Sequence, residues 1–212
     1  MIVEKQTLTP SENFLIAGLN QVGEEYFQMR HLGNENILQK PERVFNAELY
    51  HQLRKLQDNG YYEVGRIHTD LVKHIKLHLE KTKMPSAIIN NLCIGDFHPK
   101  KISPDIVFHT GQDNIDNQLL VAELKMDGAS RINIINDIQK LLFYKLSALQ
   151  FKNAVFIYTG SKKDLERKLE FGMSKKMLEC VIKHNVVIAL RLFKGRKKMW
   201  NIYEFKNNNV NN

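Results

Sequence analysis

The chain has few cysteines, no long apolar run and, over most of its length, no excess of either charge. With only Cys93 and Cys180, far apart in 212 residues, it carries neither a disulfide framework nor a zinc cluster, and both read as buried thiols. No stretch approaches the roughly 18 uninterrupted apolar residues that a spanning helix requires. The N-terminus shows no basic segment followed by an apolar one. A cytoplasmic protein that does not engage a membrane is therefore expected. No repeat and no linker divides the sequence, so one domain over residues 1–212 is expected. A glycine-rich phosphate loop is missing too, because "YTGSKKD" lacks the required Gly-Lys-Ser/Thr. His74 and His78 stand at i, i+4, but "HIKLH" has Ile75 where a metalloprotease motif needs glutamate, so they read as surface histidines.

What is present suits a folded globular protein: 43% hydrophobic and 25% charged residues, with enough length to bury a core. The net charge of +8 is unevenly placed. Residues 1–160 carry 18 basic and 18 acidic side chains, whereas residues 161–212 carry 13 and 5. Lys162, Lys163, Arg167, Lys168, Lys175 and Lys176, followed by Lys194, Arg196, Lys197 and Lys198, make a field that suits a polyanion and is equally compatible with a solvated surface.

Thr9-Pro10-Ser11-Glu12 has the form of a capping box with proline at the first helical position, and Leu15, Leu19, Val22 and Tyr26 extend it into a helix over about 10–28. A second helix starts at Pro41-Glu42, carries Phe45, Leu49, Leu53 and Leu56 on one stripe, and stops at Asp58-Asn59-Gly60. "YYEVGRI" reads as a short strand, and the segment from Thr69 to the residues before Met84-Pro85 as a helix. "AIINNLCIGDF", "PDIVFH" and "LLVAELK" read as extended. Ile135, Ile138, Leu142, Leu146 and Leu149 recur at helical spacing, with Asn133, Asp137, Lys140, Tyr144 and Ser147 on the polar side. "NAVFIYTG" is a strand buried on both faces. A helix over about 162–180 follows, then a hairpin of "VVIALRLF" and "MWNIYEF" joined at Lys194–Lys197, and a fraying tail at 207–212.

Charge at the end of an otherwise apolar strand needs a reason, since an unpaired ion out of water costs several kcal/mol. Let "PDIVFH" pair antiparallel with "LLVAELK" so that His109 faces Leu119 and Val107 faces Val121. Asp105 then faces Glu123, and the period of two puts Asp105, Glu123 and Lys125 on one face. Two facing carboxylates repel unless a divalent cation lies between them, and hard oxygen ligands suit Mg²⁺. Lys125 beside that cation can contact a phosphate oxygen or a water.

Pro104-Asp105, a gap of 17 residues and Glu123-Leu124-Lys125 resemble the PD-(D/E)xK nuclease superfamily. The order helix, strand meander, helix, strand over 41–160 carries the resemblance further. It implies an α/β fold: a central mixed β-sheet flanked by helices, with a restriction-endonuclease-like αβββαβ core at 41–160. An N-terminal helical extension (1–40) and a basic C-terminal helix and hairpin (161–206) complete it. It also implies that Asp105, Glu123 and the Leu124 carbonyl bind Mg²⁺, with Mn²⁺ as substitute. Lys125 would orient the attacking water and stabilise charge on the scissile phosphate. Glu48, at the border of the apolar stripe, matches the acid that many members add from the first core helix. Asp137, Lys140, Lys194, Arg196 and Lys197 are candidates for the substrate groove. The implied activity is that of a metal-dependent endonuclease acting on nucleic acid, DNA before RNA, with a homodimer left open.

The competing readings are a salt-bridge ladder at Asp105, Glu123 and Lys125, an ordinary exposed glutamate at Glu48, and a solvated helix face at Asp137 and Lys140. At the level of function they are a nuclease fold that binds nucleic acid without cleaving it, and a protein-interaction component of a larger assembly.

Overall fold

The computed structural model describes residues 2–27, 29–31, 34–39, 42–59, 76–79, 103–110, 117–147, 149–194 and 197–206. Their framework is a seven-stranded mixed sheet flanked by five α-helices. The strands are β1 (Ile2–Glu4), β4 (Lys76–Leu79), β5 (Ile106–His109), β6 (Gln118–Lys125), β7 (Asn153–Tyr158), β8 (Val186–Lys194) and β9 (Lys197–Phe205), in the spatial order β1-β9-β8-β7-β6-β5-β4. Strands β4, β5 and β6 form an antiparallel meander, β6, β7 and β8 run parallel, and β9 and β1 return antiparallel. A separate hairpin pairs β2 (Met29–His31) with β3 (Asn34–Gln39), so the N-terminal forty residues hold strands as well as the expected helix.

On one face lie α1 (Pro10–Gln21) and α2 (Glu42–Asp58), and on the other α3 (Arg131–Leu146), α4 (Lys162–Gly172) and α5 (Lys175–Lys183). The pleat assigns side chains to the two layers. Leu120, Ala122 and Leu124 of β6 join the core with Phe45, Leu49 and Leu53 of α2, whereas Val121 packs with Ile134, Ile138 and Leu142 of α3. The expected capping box is present: Thr9 Oγ1 accepts the Glu12 N–H at 3.3 Å and Glu12 accepts the Thr9 N–H at 2.8 Å. Glu12 is fully buried, and Lys5 Nζ at 2.8 Å compensates its charge. Against α2, α1 packs closely at Gly18, where a Cβ would stand 2.5 Å from Leu53 Cδ2.

Three segments differ from expectation. Lys76–Leu79 is a strand paired with β5, not part of a helix, and Leu77 is buried. The alternation Ile75-Lys76-Leu77-His78-Leu79 has period two, which outweighs the helical spacing read across it. The helix from residue 10 stops at Gln21, where Val22 turns extended, and Glu24–Phe27 form a 3₁₀ turn. The single helix over 162–180 is two, because Met173 is extended and Ser174 caps the second by accepting the Met177 N–H. Cys180 is buried as expected but is disulfide-bonded rather than a thiol. The readings at 61–67, at 87–97, at Cys93 and His74, and at the 207–212 tail lie outside the described residues. Among the described residues no helix is long and apolar enough to cross a membrane.

Candidate functional site

Strand β6 is buried along its length until Lys125, where the parallel strands end and the chain turns through Met126–Ser130 into α3. At this end of the sheet polar side chains from β6, α2, α3 and the segment before β5 meet. The register is Val107 with Val121 and Ile106 with Ala122, as expected. It slips at the far end, where a bulge sets His109 against Gln118 and not Leu119. Asp105 precedes the ladder and does not face Glu123 as a strand partner. Its Oδ2 accepts the backbone N–H of Leu124 at 2.6 Å, capping the β6 donor that β5 leaves open.

Glu123 is 1% exposed and points into the α3 layer. Tyr144 Oη donates to its Oε1 at 3.2 Å, and Lys140 Nζ lies 3.5 Å from its Oε2. Lys140 also donates to Asp137 Oδ1 at 2.6 Å. Asp137, Lys140 and Tyr144 follow at three and four residues, so one stripe of α3 presents all three to β6. With Asp137 3% exposed and Tyr144 fully buried, that stripe is not a solvated face.

Lys125 joins the two layers. Its ammonium donates to Glu42 Oε1 at 2.8 Å and to the Leu124 carbonyl at 3.0 Å, and lies 3.0 Å from Asp137 Oδ2. The α2 acid at the site is therefore Glu42 and not Glu48, which corrects the expected assignment. Glu48 accepts from Gln52 Nε2 at 2.6 Å and raises the Tyr26 phenol. Six residues separate the two glutamates, about 240° of helix rotation, so they leave α2 in different directions. Glu42 shares the stripe of Phe45, Asn46 and Leu49, a signal that was available in the spacing.

Electrostatics follows from burial. Asp105 is raised to about 6, chiefly by desolvation, with the Leu124 N–H and Lys125 pulling the other way. Glu123 is pushed well above the usual carboxylate range by burial and by the charges of Asp105 and Asp137. Burial opposes charge on Lys125, but Asp137 and Glu42 outweigh it and hold the ammonium protonated. Lys140 is raised in the same way by Glu123 and Asp137. Asp105, Glu123, Glu42 and Asp137 face the ammonium groups of Lys125 and Lys140, and burial favours the uncharged form of Glu123, so the net charge is smaller than four acids against two bases would give.

Hard carboxylate and carbonyl oxygens suit a divalent cation in donor type. Burial is the first cause of the raised carboxyl groups of Asp105 and Glu123, and the neighbouring acids add to it. Among the described residues no three acidic, histidine or cysteine side chains converge into a ready metal cage. The oxygens at this end are the Asp105, Glu123, Asp137 and Glu42 carboxyl groups and the Leu124 carbonyl, with the Lys125 and Lys140 ammoniums among them.

Of the groove candidates, Asp137 and Lys140 belong to this cluster. Lys197 is exposed near the tip of the β8–β9 hairpin, Lys194 ends β8, and Arg196 lies outside the described residues. Comparison of the chain with protein-family models, curated proteins and solved structures gives no match.

Proposed function

We propose that the chain is a Mg²⁺-dependent nuclease of the PD-(D/E)xK kind that hydrolyses phosphodiester bonds of nucleic acid, DNA before RNA. The observation that carries this reading is the meeting of Asp105, Glu123 and Lys125 at one end of the sheet, with Lys125 held by acids from both layers. The order α2, β4–β6, α3, β7 supports a restriction-endonuclease-like core, with the site at the C-terminal end of the first parallel strand, where α/β sheets commonly bind ligands.

Asp105, Glu123 and the Leu124 carbonyl would hold Mg²⁺, with Glu42 beside them. Bound there, the cation supplies Lewis-acid stabilisation of charge on a phosphoryl oxygen. The chain's own residues do the rest. The Leu124 N–H fixes Asp105, and Tyr144 and Lys140 keep Glu123 oriented and favour its ionised form. Lys125 offers a proton-bearing, rotatable ammonium to a phosphate oxygen or to the attacking water, released from Glu42 and Asp137 as substrate takes their place.

A second reading rests on Lys125 and Lys140 lying among the acids: their ammoniums neutralise part of the cluster without a metal, which suits a module that binds nucleic acid without cleaving it. Incubation with plasmid and oligonucleotide DNA in Mg²⁺ or Mn²⁺, beside Asp105→Ala and Lys125→Ala, separates the two. Cleavage abolished by both substitutions is expected. Cleavage that survives both overturns the nuclease reading, and salt-sensitive binding with no cleavage in either metal favours the second.

A further inference from the structure

Because β6, β7 and β8 are parallel, their C-terminal ends point to the same edge of the sheet. Lys125 is level with Tyr158 on β7 and, through it, with Leu190 on β8. Strand β8 runs four residues further to Lys194, paired to Lys197, so the hairpin extends about 13 Å past the level of Lys125 at roughly 3.3 Å per residue, and β9 lies three strands, about 14 Å, to one side of β6.

The base of this hairpin is anchored to the catalytic end. Trp200 packs against Phe27 and Phe45 with ring centroids 6.3 Å away in each case, and the Arg191 guanidinium lies 4.1 Å from the Phe27 ring while pairing with Glu24. Phe45 is three residues from Glu42, which holds Lys125. The hairpin is thereby positioned relative to the site through α2.

Parity then separates two neighbouring cations. In β9, Tyr203 and Phe205 pack in the α3 layer, and Trp200 and Ile202 in the α2 layer. Lys197 therefore belongs to the face that carries Glu123 and Lys125, and Lys198 to the opposite one. Glu24 sits on the Lys198 side, where its carboxyl is lowered by Arg191 first and by Lys198 to a lesser degree.

We propose that the β8–β9 hairpin is an arm that holds the substrate backbone at a second phosphate, through Lys197, about 20 Å from the scissile one. This rests on the nuclease reading and specifies its substrate: a nucleic acid continuing about six base pairs past the cut on the hairpin side, at 3.4 Å per pair.

The experiment measures binding of a fluorescein-labelled random-sequence DNA duplex in EDTA across a salt series, for the wild type, Lys197→Ala and Lys198→Ala. The two variants remove the same charge one residue apart. Lys197→Ala is expected to weaken binding about three- to tenfold and to lower the slope of log K against log salt by about 0.9, the value for one phosphate contact. Lys198→Ala should lose clearly less. Equal losses in both variants, or none in either, overturn the arm. Failure of the nuclease reading shows separately, as absent cleavage by the wild type in Mg²⁺ and Mn²⁺, because binding in EDTA does not depend on turnover.

Discussion

Asp105 accepts the Leu124 N–H at 2.6 Å, so the acid just before β5 is tied to the end of β6 and held within electrostatic reach of Lys125. One side chain thus serves the ladder and the site, and its two roles respond to substitution in opposite directions.

Burial raises Asp105 from 3.8 to about 6, so the folded state binds its proton more tightly than the unfolded chain does. The stability linked to this group is fully present below about pH 4 and is lost as pH rises through about 6. Asp105→Asn keeps an oxygen for the Leu124 N–H and removes the ionisation. It is expected to be more stable than the wild type at pH 7 by about 2 kcal/mol, with the gain vanishing near pH 4, and to be inactive. Urea titrations at both pH values check the sign.

Lys125→Met should be destabilising as well as inactive. It leaves Glu42 without its partner and Asp137 with Lys140 alone. Breaking a buried ion pair costs about 3–5 kcal/mol, and the partial exposure of Glu42 lowers this to about 2–3 kcal/mol. Addition of Glu42→Gln should recover part of the loss, measured as coupling in a double-mutant cycle.

Glu42 and Glu48 make a direct comparison within one helix. Glu42→Gln is expected to reduce cleavage at least about tenfold, since it removes the carboxylate that holds Lys125 and one negative charge beside the proposed cation. Glu48→Gln should retain wild-type cleavage, because that side chain bonds Gln52. Loss of activity in the Glu48 variant alone would return the helix acid to the position expected from sequence.

Tyr144→Phe removes the hydroxyl donor from Glu123 Oε1 without opening a cavity. A lost donor disfavours the carboxylate, so the Glu123 carboxyl, already raised by burial and by Asp105, should rise further. The acid limb of the pH–rate profile is expected to move to higher pH, with wild-type rates approached on the alkaline side. A uniform loss across pH would point to misplacement of Glu123.

Divalent cations should stabilise the wild type and spare the variants that lack ligands. At 100 times the dissociation constant the gain is about 2.7 kcal/mol. Differential scanning fluorimetry in Mg²⁺ or Mn²⁺ should therefore raise the melting temperature of the wild type, and not that of the double variant Asp105→Asn, Glu123→Gln.

Periodicity carries much of this architecture because it is local. The pleat alone places Glu123 and Lys125 on the α3 side of β6, and the spacing of Asp137, Lys140 and Tyr144 places them on one stripe of α3. The Val107–Val121 register follows from matching two short apolar runs, and the capping box at Thr9 from adjacent residues. The misreadings have equally local causes. A period-two stretch inside a longer apolar segment hid β4, and attention to the polar border of α2 favoured Glu48 over Glu42, which lies on the buried stripe.

Local spacing carried the two faces of the sheet and the acid at the end of β6, since each depends on neighbours within a few positions, but not the strand at 76–79, which only its pairing with β5 reveals. Packing between layers set which acid of α2 reaches Lys125, that the polar stripe of α3 is buried against Glu123, and that the basic hairpin extends past the same edge of the sheet. Those relationships join residues up to 83 positions apart, and packing between layers, not periodicity within one element, brings them together.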